Sequence, residues 1–268
     1  MTKPSSPAAS ASRGPSGRDP ARAKRRLDQL LVDRGLADSR AKAQALILAG
    51  RVSVGDRRID KPGTPVAGDA EVTVKAPPHP WVGRGGIKLA AALDRFAIDP
   101  GGAVCLDIGA STGGFTDVLL SRGAARVYAV DVGHGQLDWK LREDPRVAVR
   151  ERVNARHLTA AEVPEPIDLV VCDASFISLT LVLPPALALA RPGARLVALI
   201  KPQFEAGRAH VGKGGVVRDP AVHEAVCADI RAWLDGREGW RVIGLEDSPI
   251  TGPEGNREFL IAAGHEGG

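Results

Sequence analysis

Charged or amide side chains stand at the ends of several apolar runs in this 268-residue chain, spaced as the tips of successive strands. The first run ends Leu106-Asp107-Ile108 and passes into the loop Gly109-Ala110-Ser111-Thr112-Gly113-Gly114-Phe115. Glycines there let the backbone turn tightly and come close to a ligand. The loop lacks the dinucleotide pattern, because Ser111 stands where a second glycine belongs, and no Lys closes it as in a triphosphate loop. Asp131, at the end of Tyr128-Ala129-Val130, is placed to accept the ribose hydroxyls of an adenosine. It would equally cap a helix opening at Gly135. Asn154 sits where an adenine-facing residue belongs, and where an Asn commonly stabilises a loop. Asp173 follows Leu169-Val170-Val171-Cys172, and Lys201 follows Val197-Ala198-Leu199-Ile200. Opposite charges at neighbouring strand tips would form a polar cluster inside a cleft. A Lys beside other cations acts as a base; held between carboxylates it stays cationic and orients an oxygen electrostatically. Both roles suit a weak hydroxyl nucleophile.

These residues need strands to carry them. The spacing predicts strands over 103–108, 126–130, 147–151, 167–172 and 194–200. Helices are expected over 86–96, near Gly114, Gly135, Thr159 and Ser178, and over 219–235. Segments 241–245 and 258–262 read as a closing antiparallel hairpin. Such alternation is an α/β, doubly wound, mostly parallel sheet, whose ligands bind beyond the carboxyl ends of the strands. A smaller α+β unit precedes it. Leu27, Leu30 and Leu31 mark a helix ending near Gly35. Ser39 caps a second over 40–49, and short strands follow around Val52–Val54, Ile59 and Val72–Val74. Four segments are expected: a disordered basic tail over 1–24, the small domain over 25–76, a proline-stiffened linker over 77–82 and the large domain over 83–268.

The charge follows that division. The net charge is +4 overall, but residues 1–75 carry an excess of seven basic side chains and the remainder is mildly acidic. This asymmetry points to an acidic partner. No apolar run reaches the roughly 18 residues of a membrane span, and no secretory leader is visible. Three cysteines, Cys105, Cys172 and Cys227, make neither a disulfide framework nor a metal site. A cytoplasmic protein without membrane or metal partners is expected.

Arg25 to Val74 resembles the S4-type RNA-binding domain, with Arg26-Leu27-Asp28-Gln29-Leu30-Leu31 and Ser39-Arg40-Ala41-Lys42-Ala43 as its paired helices. The loop at Gly109 resembles the first motif of S-adenosylmethionine-dependent methyltransferases. The order of small basic domain, Arg84-Gly85-Gly86-Ile87-Lys88-Leu89, glycine loop, Asp173-Ala174-Ser175-Phe176-Ile177-Ser178, Lys201-Pro202-Gln203-Phe204-Glu205 and Gly252-Pro253-Glu254-Gly255-Asn256-Arg257-Glu258 resembles the TlyA family. Its members are ribosomal-RNA 2′-O-methyltransferases, also called hemolysin A. The likeness spans residues 25 to 263.

The resemblance implies a Rossmann-like class I methyltransferase domain of FtsJ type that takes S-adenosyl-L-methionine. It implies a cofactor cradle of Asp107, Gly109, Ala110, Ser111, Gly113, Gly114, Phe115, Asp131, Asn154 and Asp173. Carried over position by position, an FtsJ-like tetrad falls on Lys88, Asp173, Lys201 and Glu258, with Glu254 a rival for Glu258. Spacing alone reaches only Asp173 and Lys201. Ala174-Ser175-Phe176 replaces the Pro-Pro-aromatic run of exocyclic-amine methyltransferases, and Cys172 precedes its strand tip, so a hydroxyl acceptor is favoured. The implied substrate is ribosomal RNA, with ribosomal subunits as partners and a cytidine ribose as acceptor. Arg26, Arg34, Arg40, Lys42 and Arg51 would meet RNA phosphates. The small domain has no aromatic residue, so it would read backbone and shape rather than stack bases. Two other classes are kept: a non-catalytic ribosome-assembly module, and the membrane-active hemolysin of the family's second name.

Overall fold

The computed structural model describes residues 23–37, 39–75, 79–252 and 254–266. Positions 1–22 of the expected tail, 77 and 78 of the expected linker, and 253 lie outside them. The chain divides into two compact units between positions 78 and 79.

In the smaller unit, β1 (Lys24–Arg26) leads into α1 (Leu27–Asp33) and α2 (Arg40–Leu48). Then come β2 (Val52–Val54), β3 (Arg57–Ile59), β4 (Pro65–Ala67) and β5 (Val72–Val74). The first helix begins at Leu27 because its apolar stripe does; Leu27, Leu30 and Leu31 are buried with Ala43, Ile47 and Val52. The residues before it pair instead with β4, Lys24 opposite Ala67, so Lys24 belongs to a strand and not to the tail. Ser39 caps α2, its Oγ accepting from Lys42 N at 3.2 Å. Val54 pairs with Arg57, so Gly55-Asp56 is a two-residue hairpin turn with Gly55 at φ 55°.

The larger unit runs α3 (Gly85–Arg95), β6 (Val104–Ile108), α4 (Gly114–Ser121), β7 (Arg126–Asp131), α5 (Trp139–Arg142), β8 (Val147–Glu151), β9 (Ile167–Cys172) and α6 (Leu179–Ala188). It continues β10 (Ala190–Ile200), α7 (Pro202–Glu205), α8 (Pro220–Asp235), β11 (Trp240–Asp247) and β12 (Phe259–His265). Seven strands lie in the order β11-β12-β10-β9-β6-β7-β8. β10 to β8 are parallel; β12 runs antiparallel to both β10 and β11. Period-two alternation serves two cores. Leu106, Ile108, Val170 and Cys172 face one, and Cys105, Leu169 and Val171 face the other.

Two helices do not open where expected. None opens at Gly135, which sits at φ 71° and donates its N–H to Glu151 Oε1 at 2.8 Å. The helix starts four residues later, at Trp139, capped by Asp138. None opens at Thr159 either. Its N–H and Oγ1 both bond Glu162 Oε2 in a local turn, and a short 3-10 helix occupies Ala155–His157 instead. Helix α6 carries Pro184 and Pro185 inside it.

Candidate active site

After β6 the chain moves outward to β7, and after β9 to β10 on the other side. The crevice between the carboxyl ends of β6 and β9 is therefore the topological switch point, where such sheets bind ligands. The glycine loop fills one wall. Gly109 has φ 80°, and a Cβ there would stand 3.0 Å from Ala174 Cα. Only glycine lets the loop pass so close to the chain leaving β9. Gly109 N and Ala110 N both donate to Val130 O, at 2.9 and 3.2 Å. Ser111 takes the left-handed conformation at φ 49°, and its N–H donates to Asp131 Oδ2 at 2.8 Å. Asp131 Oδ1 accepts from Gly133 N at 2.7 Å. Asp131 thus fastens two loops together while lining a cavity of about 320 Å³ with Gly109, Ser111, Asn154 and Asp173. It caps no helix. Asn154 stabilises its loop, its Oδ1 accepting from Arg156 N at 3.1 Å, and the residue also lines the cavity.

A second cavity of about 550 Å³ shares Gly109, Ser111 and Asp173 and adds Ala110, Gly114, Phe115, Lys88, Lys201, Glu254 and Glu258 to its walls. Lys88 arrives on α3. Gly114 allows that approach, since a Cβ there would lie 2.9 Å from Gly86 N. Lys88 Nζ is 2.6 Å from Glu258 Oε2 and 3.6 Å from Asp173 Oδ2. Lys201 Nζ is 2.7 Å from Asp173 Oδ1, and donates to Asp173 O at 3.0 Å and Ser175 Oγ at 2.9 Å. The four charges alternate in a row, Glu258, Lys88, Asp173, Lys201. Lys88, Lys201 and Glu258 are 7%, 6% and 3% exposed. Such burial is tolerable because each charge faces an opposite one. Three acceptors around Lys201 Nζ match the three N–H groups of an ammonium. Glu258, and not Glu254, is the carboxylate that pairs with Lys88.

Two expected cradle residues do not reach either cavity. Asp107 is fully buried, and strand alternation turns it toward the core shared with α4. There Thr116 Oγ1 donates to its Oδ2 at 2.7 Å. Burial pushes its carboxyl up to about 7, against the opposing effect of the Thr116 bond. Gly113, at φ 97°, faces Leu141 and Leu137. Burial likewise pushes the Cys172 thiol up to about 12, so it is no nucleophile.

Sequence reasoning missed several neighbours. Ser175 is a partner of Lys201. Glu205 secures the start of α6, accepting from Ser178 Oγ at 2.6 Å and Leu179 N at 2.8 Å; burial raises its carboxyl. Phe176 is exposed at φ 65°, lies on the wall common to both cavities and packs on Phe204 with centroids 5.0 Å apart. A bulky residue held there costs on the order of 1–3 kcal/mol, and such strain concentrates at functional sites. The motif Lys201 to Glu205 carried the signal for Glu205, but not its role.

In the smaller unit, Arg26 and Arg40 converge on Asp28. Arg34 is tied separately to the backbone, donating to Ala70 O at 2.7 Å and Gly68 O at 2.6 Å. Lys42 lies on α2 and Arg51 just before β2. Among the described residues no group of three or more His, Cys, Asp or Glu is arranged to hold a metal, and no helix is long and apolar enough to cross a membrane.

Comparison with known proteins places this geometry. Residues 81–265 match the model of the FtsJ-like methyltransferases, and residues 25–72 that of the S4 domain. A 16S/23S rRNA (cytidine-2′-O)-methyltransferase, TlyA of Mycobacterium tuberculosis, is 50% identical over 88% of both chains. Hemolysin A of Brachyspira hyodysenteriae is 40% identical over 88% of this chain and 98% of its own. A solved structure of a hemolysin candidate from Streptococcus thermophilus shares 42% identity with a TM-score of 0.70, covering 92% of this chain and 90% of that one.

Proposed function

We infer the reaction from family and geometry together: the chain belongs to the TlyA family, whose larger domain is an FtsJ-like methyltransferase, and it methylates a cytidine ribose 2′-hydroxyl of ribosomal RNA using S-adenosylmethionine. The observation that carries this is the buried row Glu258, Lys88, Asp173, Lys201 beside the cavity under the glycine loop. The adjoining cavity lined by Gly109, Asp131 and Asn154 suits the cofactor. Gly109 leaves backbone room that a Cβ would fill, and Asp131 presents a carboxylate for a ribose diol. Asn154 keeps its amide N–H groups for an adenine edge. When bound, S-adenosylmethionine supplies a methyl group already activated on a sulfonium.

The chain's own residues then need to present an oxygen. In our reading Lys201 rests as an ammonium. An incoming 2′-hydroxyl takes the place of Ser175 Oγ as acceptor of one Lys201 N–H. The same hydroxyl donates its hydrogen to the adjacent Asp173 carboxylate, leaving a lone pair for the methyl. The proton passes from the 2′-oxygen to Asp173 as the carbon–oxygen bond forms. Lys201 stabilises charge developing on that oxygen. Lys88, between Asp173 and Glu258, keeps Asp173 in line, and Glu258 keeps Lys88 there. Alignment of this kind is the larger share of catalysis when the transfer itself is favourable.

We also propose that the small domain delivers the enzyme to folded RNA within ribosomal subunits, in the cytoplasm. Its lack of aromatic residues and its basic excess support docking by backbone and shape. Incubation with radiolabelled S-adenosylmethionine and either ribosomal subunits or deproteinised ribosomal RNA tests the assignment. Label is expected in RNA, and preferentially from subunits. Label confined to protein would overturn it.

A further inference from the structure

Asp28 is a fully buried carboxylate at the start of α1, inside the basic unit. Five donors converge on it. Arg26 Nε and Gln29 N bond Oδ1 at 3.0 and 2.9 Å. Arg26 NH2, Arg40 Nε and Gln44 Nε2 bond Oδ2 at 2.9, 3.1 and 3.0 Å. The Arg26 bond, aided by Gln44 and Arg40, holds its carboxyl well below the usual range despite burial. A carboxylate so saturated has nothing left for a ligand. The arginines do: their side chains are 53% and 52% exposed. NH1 of Arg26 and both terminal nitrogens of Arg40 are not spent on Asp28.

We propose that Asp28 is a positioning residue that holds Arg26 and Arg40 as a preformed pair of guanidinium forks for the phosphodiester backbone of RNA. Two guanidiniums brought together repel, and the carboxylate between them offsets that repulsion while leaving a net positive charge. It also fixes side chains that would otherwise lose rotamer freedom on binding, which is how preorganisation raises affinity. Lys cannot replace either arginine, since an ammonium cannot bond Asp28 along one edge and a phosphate along another in a planar fork. The idea rests on the RNA-substrate reading above and assigns one way that RNA is held.

The test uses the full chain and deproteinised ribosomal RNA, with affinity measured across a salt series and methyl transfer measured across RNA concentrations. Asp28→Asn removes a negative charge and so raises the net charge by one, and general electrostatics would tighten binding. The proposal expects the reverse: a dissociation constant about tenfold higher, a loss read in KM for RNA rather than in kcat, and a log–log salt slope smaller by about one phosphate contact. Thermal melting reports whether this variant is folded. Arg40→Lys and Arg40→Gln provide the decision if it is not. Both should weaken binding, because Lys keeps the charge but not the fork. Wild-type affinity in Arg40→Lys, or in folded Asp28→Asn, overturns the proposal and leaves the enzyme's function standing. Failure of the unaltered chain to bind the RNA would instead overturn the RNA reading on which it rests.

Discussion

Asp107 makes the larger unit less stable as pH rises, and Asp107→Asn should remove that dependence. Its carboxyl is pushed up to about 7 in the folded chain, against about 3.9 when unfolded. The folded state therefore favours the protonated form. The stability this provides is complete below pH 4 and is lost as pH climbs through 7. The difference from the unfolded value amounts to at most about 4 kcal/mol, of which more than half falls between pH 5 and pH 8. The cause is local: the side chain is fully buried, Thr116 serves Oδ2, and Oδ1 has no hydrogen-bond partner. Asparagine keeps an acceptor for Thr116 and cannot ionise. All four tryptophans (Trp81, Trp139, Trp233 and Trp240) lie in the larger unit, so urea unfolding followed by their fluorescence reports that unit alone. The wild-type unfolding free energy should fall relative to the variant's by roughly 2 to 3 kcal/mol from pH 5 to pH 8. A difference that is flat, or that grows in favour of wild type, would refute this.

Lys201→Ala should lower single-turnover methyl transfer by about 10² to 10³-fold, the range for losing a donor that stabilises charge developing on the reacting oxygen. Calorimetric affinity for S-adenosylmethionine should stay within a few-fold. Gly252→Ala puts a methyl 2.7 Å from Glu258 Oε1, so it should move that carboxylate off Lys88 and cut turnover at least about tenfold with cofactor affinity kept. Asp131→Ala removes the carboxylate offered to the ribose diol, and losing two charge-assisted bonds to it at about 1.5 kcal/mol each should weaken cofactor binding by a hundredfold or so.

The strand tips were readable in the sequence because a polar residue ending an apolar run marks both the strand and its exit. That logic located Asp131, Asp173 and Lys201, and the structure puts the last two on adjacent strands. The motif likeness misjudged Asp107. Alternation along β6 turns it into the core, and a motif likeness carries no such information. Lys88 and Glu258 have no local signature. They are 170 positions apart, and only the close approach of α3 to α4 and the return of β12 beside β10 bring them together. Gly135 and Thr159 looked like helix starts, yet Glu151 and Glu162 claim their N–H groups for turns. Nothing in the sequence singles out Asp28, because composition cannot tell a solvated carboxylate from one enclosed by two arginines.

The central claim is that the buried row of charges activates a ribose oxygen and not a base. Ribosomal RNA methylated by the purified chain, digested to nucleosides and fragmented in a tandem mass spectrometer, separates the two. The account predicts methylcytidine whose added mass stays with the sugar fragment, and no product from Lys201→Ala. An added mass on the cytosine fragment, or undiminished product from that variant, would contradict it.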